Sequence, residues 1–171
     1  MTPETFKSEI LPMKHKLFRF AGRLLQNIPE AEDVVQEVFI RLWDRRDALK
    51  QYRSVEAFAM TIAKNLCLDR LKSKRNRQDE FTEKHEQADS LTPYHHVEMK
   101  DSFQKVNQII GILPEQQRMI IQLRDVEGYE YEEIEEITGM NQNAIRVNLS
   151  RARKQVRELM KKQYNYEFTK N

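Results

Sequence analysis

The segment YEEIEEITGMNQNAIRVNLSRARKQVRELMKK, Tyr131 to Lys162, decides the fold. It predicts a short helix from about Tyr131 to Thr138, a tight turn, then a long basic helix. Ile134 and Ile137 are the inward residues of the short helix. Gly139 stands where that helix stops, because glycine enters the left-handed region without steric cost. Asn141 stands where the next helix starts, since its side-chain oxygen can accept an orphan backbone N–H. Helix, glycine turn, helix is the DNA-binding helix-turn-helix pattern, whose second helix enters the major groove. On that second helix Ile145, Leu149, Ala152, Val156 and Leu159 recur at steps of three and four and form one apolar stripe. The opposite side carries Asn143, Arg146, Val147, Ser150, Arg151 and Lys154. These supply guanidinium forks for guanine edges and phosphates, a hydroxyl, and a methyl-bearing side chain for thymine. Farther along, Arg153, Arg157, Lys161 and Lys162 suit backbone phosphates, which position without specifying. An ordinary surface helix with a solvated basic face has the same periodicity and is the competing reading.

Working outward, the chain has 171 residues, of which 33% are charged, with only 4 glycines and 5 prolines. That composition favours helices over sheets. No apolar run approaches the length of a membrane span, and the N-terminus lacks a signal-peptide core. Cys67 is the only cysteine, so no internal disulfide forms. The expectation is a cytoplasmic protein without membrane insertion. The formal charge of +2 averages over strong segregation. Lys64 to Arg77 and Arg146 to Lys162 are basic, whereas Asp79 to Asp101 and Asp125 to Glu136 are acidic. Such segregation predicts two kinds of partner, a polyanion and a basic protein surface.

The N-terminal part reads as a helical bundle. Phe6 to Gln26 carries Ile10, Leu11, Leu17, Phe18, Ala21, Leu24 and Leu25 at helical spacing, with a bend near Pro12. Pro29 opens a helix to about Arg46, and Glu30, Glu32 and Asp33 favour its positive end. Val34, Val35, Val38, Phe39, Leu42 and Trp43 take interior-type positions there, with Phe39 and Trp43 spaced to stack. Asp47 to Ser54 reads as a loop, and Ser54 as the N-cap of the next helix. That helix, from Val55, is apolar in its first half and ends in the basic run Arg70, Lys72, Lys74, Arg75 and Arg77. Cations near a helix C-terminus are electrostatically favoured; the functional alternative is a phosphate-binding surface beside a base-contacting face with Asn65. Cys67 lies among apolar neighbours and reads as a buried small residue.

From Gln78 to about Lys100 the periodicity weakens, and residues 79–100 read as a flexible polar linker. It holds His85, His95, His96 and Glu98, which lack the spacing of a preformed metal site. Order resumes at Asp101 with the stripe Phe103, Val106, Ile109, Ile110 and Leu113. Pro114 begins a further helix that packs Met119, Ile120, Leu123 and Val126 and ends at Gly128. The last residues, YNYEFTKN, read as a fraying end. The predicted fold is all-α: two small helical domains, residues 1–78 and 101–171, joined by the linker.

Three blocks carry a family resemblance. AEDVVQEVFIRLW, Ala31 to Trp43, is similar to region 2.2 of the sigma-70 family of RNA polymerase sigma factors. AFAMTIAKNLCLDRLKSKR, Ala57 to Arg75, looks like regions 2.3 and 2.4, and Leu113 to Leu159 looks like region 4. Their order and separation resemble the extracytoplasmic-function group. The resemblance implies that the N-terminal domain grips the beta-prime clamp of core RNA polymerase through Asp33, Gln36, Glu37, Phe39, Ile40 and Trp43. It implies that Asn65 holds a flipped-out base of the single-stranded −10 element, flanked by Asp69, Arg70, Lys72, Lys74 and Arg75. It implies that Asn143, Arg146, Val147, Ser150, Arg151 and Lys154 read the −35 duplex of promoter DNA, with Arg124 on phosphate. The acidic short helix and its loop would face the beta flap, and an anti-sigma factor would occlude these surfaces. Val147, Asn148 and Glu130 depart from the family's common residues, and Ala59 stands where aromatics are frequent. No cofactor and no catalytic residue is implied.

Three other classes compete. A stand-alone helix-turn-helix regulator needs a dimerisation or sensing domain, and the N-terminal half shows neither. An enzyme finds no His/Asp/Ser constellation, glycine-rich phosphate loop or metal motif in its support. A bare helical scaffold leaves the two basic helices without a purpose.

Overall fold

The computed structural model describes residues 1–80 and 101–169. The linker expectation for residues 79–100, with its histidines, falls almost wholly outside them. Eight α-helices are described, and no strand occurs among the described residues. In chain order they are α1 (Pro3–Glu9), α2 (Lys14–Leu25), α3 (Ile28–Asp44), α4 (Val55–Glu80), α5 (Asp101–Ile112), α6 (Glu115–Ile121), α7 (Tyr131–Thr138) and α8 (Gln142–Thr169).

Local sequence explains most boundaries. Pro12 does more than bend the first segment: a 3₁₀ turn, Leu11–Met13, separates α1 from α2. Gln26 closes α2 in the left-handed region, φ 51°. The Asn27 side chain then accepts the Glu30 N–H at 3.0 Å, with Pro29 in the first turn of α3. The expected loop after α3 is instead a 3₁₀ helix, Arg46–Gln51. Its winding drives Leu49 into the core, where it is 1% exposed. Ser54 caps α4 as its sequence position predicts, accepting the Ala57 N–H at 3.1 Å. Trp43 does not stack on Phe39. It meets Phe6 edge-on, 5.1 Å between centroids, and carries Arg46 over its ring.

In the C-terminal half Met119, Ile120 and Leu123 are buried, but Val126 is 43% exposed. The reason is a change of winding. Gln122–Val126 forms a π turn, which rotates the residues after Leu123 off the helical phase that α6 began. The chain end does not fray at Tyr164; α8 continues to Thr169.

The two halves are not held by sequence continuity alone. α4 packs against α7, and α2 packs against both α5 and α6. α4 covers one side of α7, while Glu132, Glu135 and Glu136 on its acidic side stay exposed. Buried apolar residues from Phe6 to Ala152 join into one cluster. Around that contact the interface is polar. Arg19 of α2 donates to both carboxylate oxygens of Glu127, at 2.8 and 2.9 Å. Arg118 of α6 donates to the Leu24 carbonyl at 2.9 Å, and Arg75 of α4 meets Glu115 at 2.7 Å. Lys16 lies over the buried Tyr129 ring and donates to Glu56 at 2.8 Å. Burial, then Glu56 and Glu127, push the Tyr129 hydroxyl's pKa upward, so this residue stays neutral. Gly111 permits a close approach: a Cβ there would lie 2.8 Å from the Gln26 side-chain oxygen.

Cys67 is fully buried on α4, and burial pushes its thiol up to about 12. A raised thiol pKa disfavours the thiolate, the reacting form, across the neutral range. The folded chain is expected to resist thiol reagents at about pH 8 and to react fully in denaturant. Rapid labelling of the native chain would contradict this burial.

Candidate nucleic-acid interface

The helix-turn-helix is built by short-range bonds. Glu130 precedes α7 without a serine or threonine hydroxyl, and its own N–H donates to the Glu133 carboxylate at 2.8 Å. Gly139 ends α7 with φ 74°, where a β-carbon is strained. Asn141 then accepts the Ala144 N–H at 2.8 Å and starts α8. With both ends fixed, α8 shows its two faces. Ile145, Leu149 and Ala152 are buried, and Val156 and Leu159 half-buried. Asn143, Arg146, Val147, Ser150, Arg151 and Lys154 are all exposed, so the structure gathers these six sequence-nominated residues on one surface.

Two basic residues differ from expectation. Arg153 is not free for phosphate. It forms a two-point ion pair with Asp125, at 2.9 and 2.6 Å, and this bond raises its pKa. Arg124 projects from the π turn and is half-buried. It donates to the Tyr129 carbonyl at 2.8 Å and lies over the Tyr131 ring, 4.5 Å from its centroid. Arg146 lies over the same ring at 4.6 Å. Tyr131 is the residue that sequence reading missed. No single helix spans it and either arginine, and only the turns between the elements bring them together.

On α4 the nominated residues divide. At 100° per residue, Asn65, Asp69 and Lys72 share one line, and all three are exposed. Arg70 and Lys74 are turned to the adjoining side, where they line a shallow cleft with Glu30, Leu66 and Ser73. Lys74 is ion-paired with Glu30, and Arg75 with Glu115. Lys72 is exposed beside Asn65, while Lys74 and Arg75 already have carboxylate partners.

On α3 the line Asp33, Gln36, Glu37 and Ile40 faces outward, with Ile40 56% exposed. Glu37 pairs with Arg41 one turn on, at 3.0 Å. Phe39 and Trp43 sit half-buried at the margin of that face. A second cleft, lined by Leu11, Phe18, Val35, Gln36 and Phe39, runs between α2 and α3. The arrangement offers an apolar groove with a polar rim, suited to a partner helix. No described helix is long and apolar enough to cross a membrane.

Comparisons with known proteins cover the segments that carry these faces. Residues 11–77 match the family model for Sigma-70 region 2, and residues 103–156 that for Sigma-70, region 4. Together the matches span more than half of the chain. The ECF RNA polymerase sigma factor SigW of Bacillus subtilis is 28% identical, over 86% of this chain and 84% of its own length. The ECF RNA polymerase sigma factor SigE of Mycolicibacterium smegmatis is 30% identical over 86% of this chain, which spans only 58% of that longer relative. Among solved structures, the sigma factor RpoE from Bartonella quintana, in complex with the anti-sigma factor NepR, superposes with a TM-score of 0.79. It shares 25% identity, and the match covers 92% of this chain and 98% of that one. CnrH in complex with the cytosolic domain of CnrY shares the fold, TM-score 0.69.

Proposed function

The chain belongs to the extracytoplasmic-function sigma factors of the sigma-70 family, and from that premise we propose that it binds core RNA polymerase and directs it to promoters carrying −10 and −35 elements. The observation that carries this reading is the pair of exposed faces, one on each family-matched segment: Asn65, Asp69 and Lys72 on α4, and Asn143 to Lys154 on α8. In this reading residues 1–78 form the core-binding and −10 unit, and residues 101–171 the −35 unit. Asn65 holds an extruded base, and Asp69, Arg70, Lys72, Lys74 and Arg75 flank the strand. Lys74 and Arg75 must first exchange Glu30 and Glu115 for phosphate. Arg146 and Arg151 supply forks for guanine edges, Val147 meets a thymine methyl, and Asn143, Ser150 and Lys154 complete the contact. Arg124 reaches phosphate beside them.

Asp33, Gln36, Glu37 and Ile40 meet the beta-prime clamp, with Phe39 and Trp43 at the groove edge. Polar groups fix orientation there, and Ile40 supplies apolar area. The polymerase itself performs the chemistry, so the chain needs no catalytic group or cofactor, and it works in the cytoplasm beside its DNA. Structural likeness to a sigma factor bound by an anti-sigma factor supports a partner of that kind.

The test is transcription in vitro with core polymerase from the same organism, genomic DNA as template, and sequencing of the 5′ ends. Specific new starts sharing two upstream motifs at fixed spacing are the expected result. No new starts, with tight duplex binding by the protein alone, would replace this reading with a stand-alone helix-turn-helix regulator.

A further inference from the structure

We infer that Tyr131 is a positioning residue for duplex readout, holding Arg124 and Arg146 over one ring so that they meet DNA already ordered. The inference rests on the duplex-reading role proposed for α8. The two guanidinium carbons lie 4.5 and 4.6 Å from the ring centroid, within cation–π range. They arrive from different elements, Arg124 from the π turn and Arg146 from the second turn of α8.

The ring matters most to Arg146. That side chain is exposed, and its other contact, to the Gln142 side-chain oxygen, is long at 3.5 Å. A long side chain so loosely tied would lose its rotamer freedom only on binding, which weakens the complex. The ring removes part of that loss beforehand. It does so without neutralising the charge, because the face of an aromatic ring attracts a cation through its quadrupole. Arg153 on the same helix shows the alternative: a carboxylate, Asp125, holds it in two places and competes with any incoming phosphate. Tyr131 therefore gathers two cations; Arg124 also donates to the Tyr129 carbonyl and lies 3.5 Å from the Glu130 carboxylate, a longer contact than the Arg153–Asp125 pair. Tyr131 opens α7, and the first helix of a helix-turn-helix crosses the DNA backbone. The ligand is a duplex phosphate with the neighbouring guanine edge.

The test uses the full chain with core polymerase, on a promoter found by 5′-end mapping and on the same promoter with its upstream element scrambled. The ratio of transcription from the two is the readout. Tyr131→Phe keeps the ring and should hold the ratio within about twofold of wild type. Tyr131→Leu should lower it by about fivefold, with an unchanged urea midpoint. In an Arg124→Ala/Arg146→Ala background the leucine substitution should cost less than about twofold, since nothing remains for the ring to position. An equal loss in both backgrounds would mark damage to packing and overturn the inference, as would a wild-type ratio for Tyr131→Leu. An Arg146→Ala chain with a wild-type ratio would overturn the inference, while the duplex-reading role of α8 would fall only if Arg146→Ala/Arg151→Ala also kept the wild-type ratio.

Discussion

Replacing Arg146 and Arg151 together by alanine should abolish preference for the upstream element, lowering the intact-to-scrambled transcription ratio on the order of 100-fold. Each bidentate contact to a guanine edge carries roughly 1–3 kcal/mol of discrimination, and two act on one surface. Neither side chain supports the fold. Both are exposed, and the buried stripe of Ile145, Leu149 and Ala152 lies on the far side of the helix. The variant should thus fold and bind core polymerase normally, which separates lost recognition from lost structure. An arginine on phosphate would behave differently: affinity would fall evenly across sequences, and the salt dependence would flatten by about one counterion. Preserved discrimination in the double variant would end the assignment of α8 as the base-reading helix.

Truncating Glu127 to alanine should destabilise the chain by roughly 2–3 kcal/mol, through the contact between its halves. The Glu127 side chain is 3% exposed and accepts from Arg19 twice and from the buried Gln122 at 3.3 Å. It also opposes the desolvation of buried Arg23, whose pKa burial lowers. Removing one partner of a buried pair costs about 3–5 kcal/mol, because the other charge is left stranded. Here Arg19 is 45% exposed and can recover water, which brings the cost below that range. Glu127→Gln keeps the shape and an acceptor and should cost less. Urea unfolding measures the loss, and small-angle scattering should show Glu127→Ala expanded. A midpoint and radius equal to wild type would mean that the remaining contacts, apolar and polar, join the halves without Glu127.

These two predictions mark where sequence legibility ends. The faces of α8 could be read directly, because a 3.6-residue period sorts Ile145, Leu149 and Ala152 from Arg146, Ser150 and Arg151 without knowledge of anything else. The caps at Ser54 and Asn141 and the stop at Gly139 are equally local, each fixed by the chemistry of a single residue. Val126 failed for the opposite reason: a π turn shifts the phase, and no periodic pattern anticipates a change of period. The partners of Arg19, Arg75, Lys74 and Arg153 were out of reach as well. Each pair is separated by 28 to 108 positions, and a charge on its own does not name its carboxylate. The family resemblance named candidate surfaces but not this pairing.

The contact of α7 with α4 has a consequence measured in length. α7 also touches α8, so two steps of helix packing, about 8–10 Å each, separate the axis of α4 from that of α8. The elements assigned to those helices are about 25 base pairs apart by name, on the order of 85 Å along straight duplex at ~3.4 Å per pair. Folded as described, the chain is like a closed pair of compasses set on a span several times its opening. In the function proposed above, it would reach both elements only after the legs part. Parting exposes Glu127, Glu115 and the apolar side of α7 together, and their release exacts a free energy that promoter and polymerase contacts must exceed. In the function proposed above, the same closure that steadies the free protein would set a minimum strength for the promoter and polymerase contacts that part it.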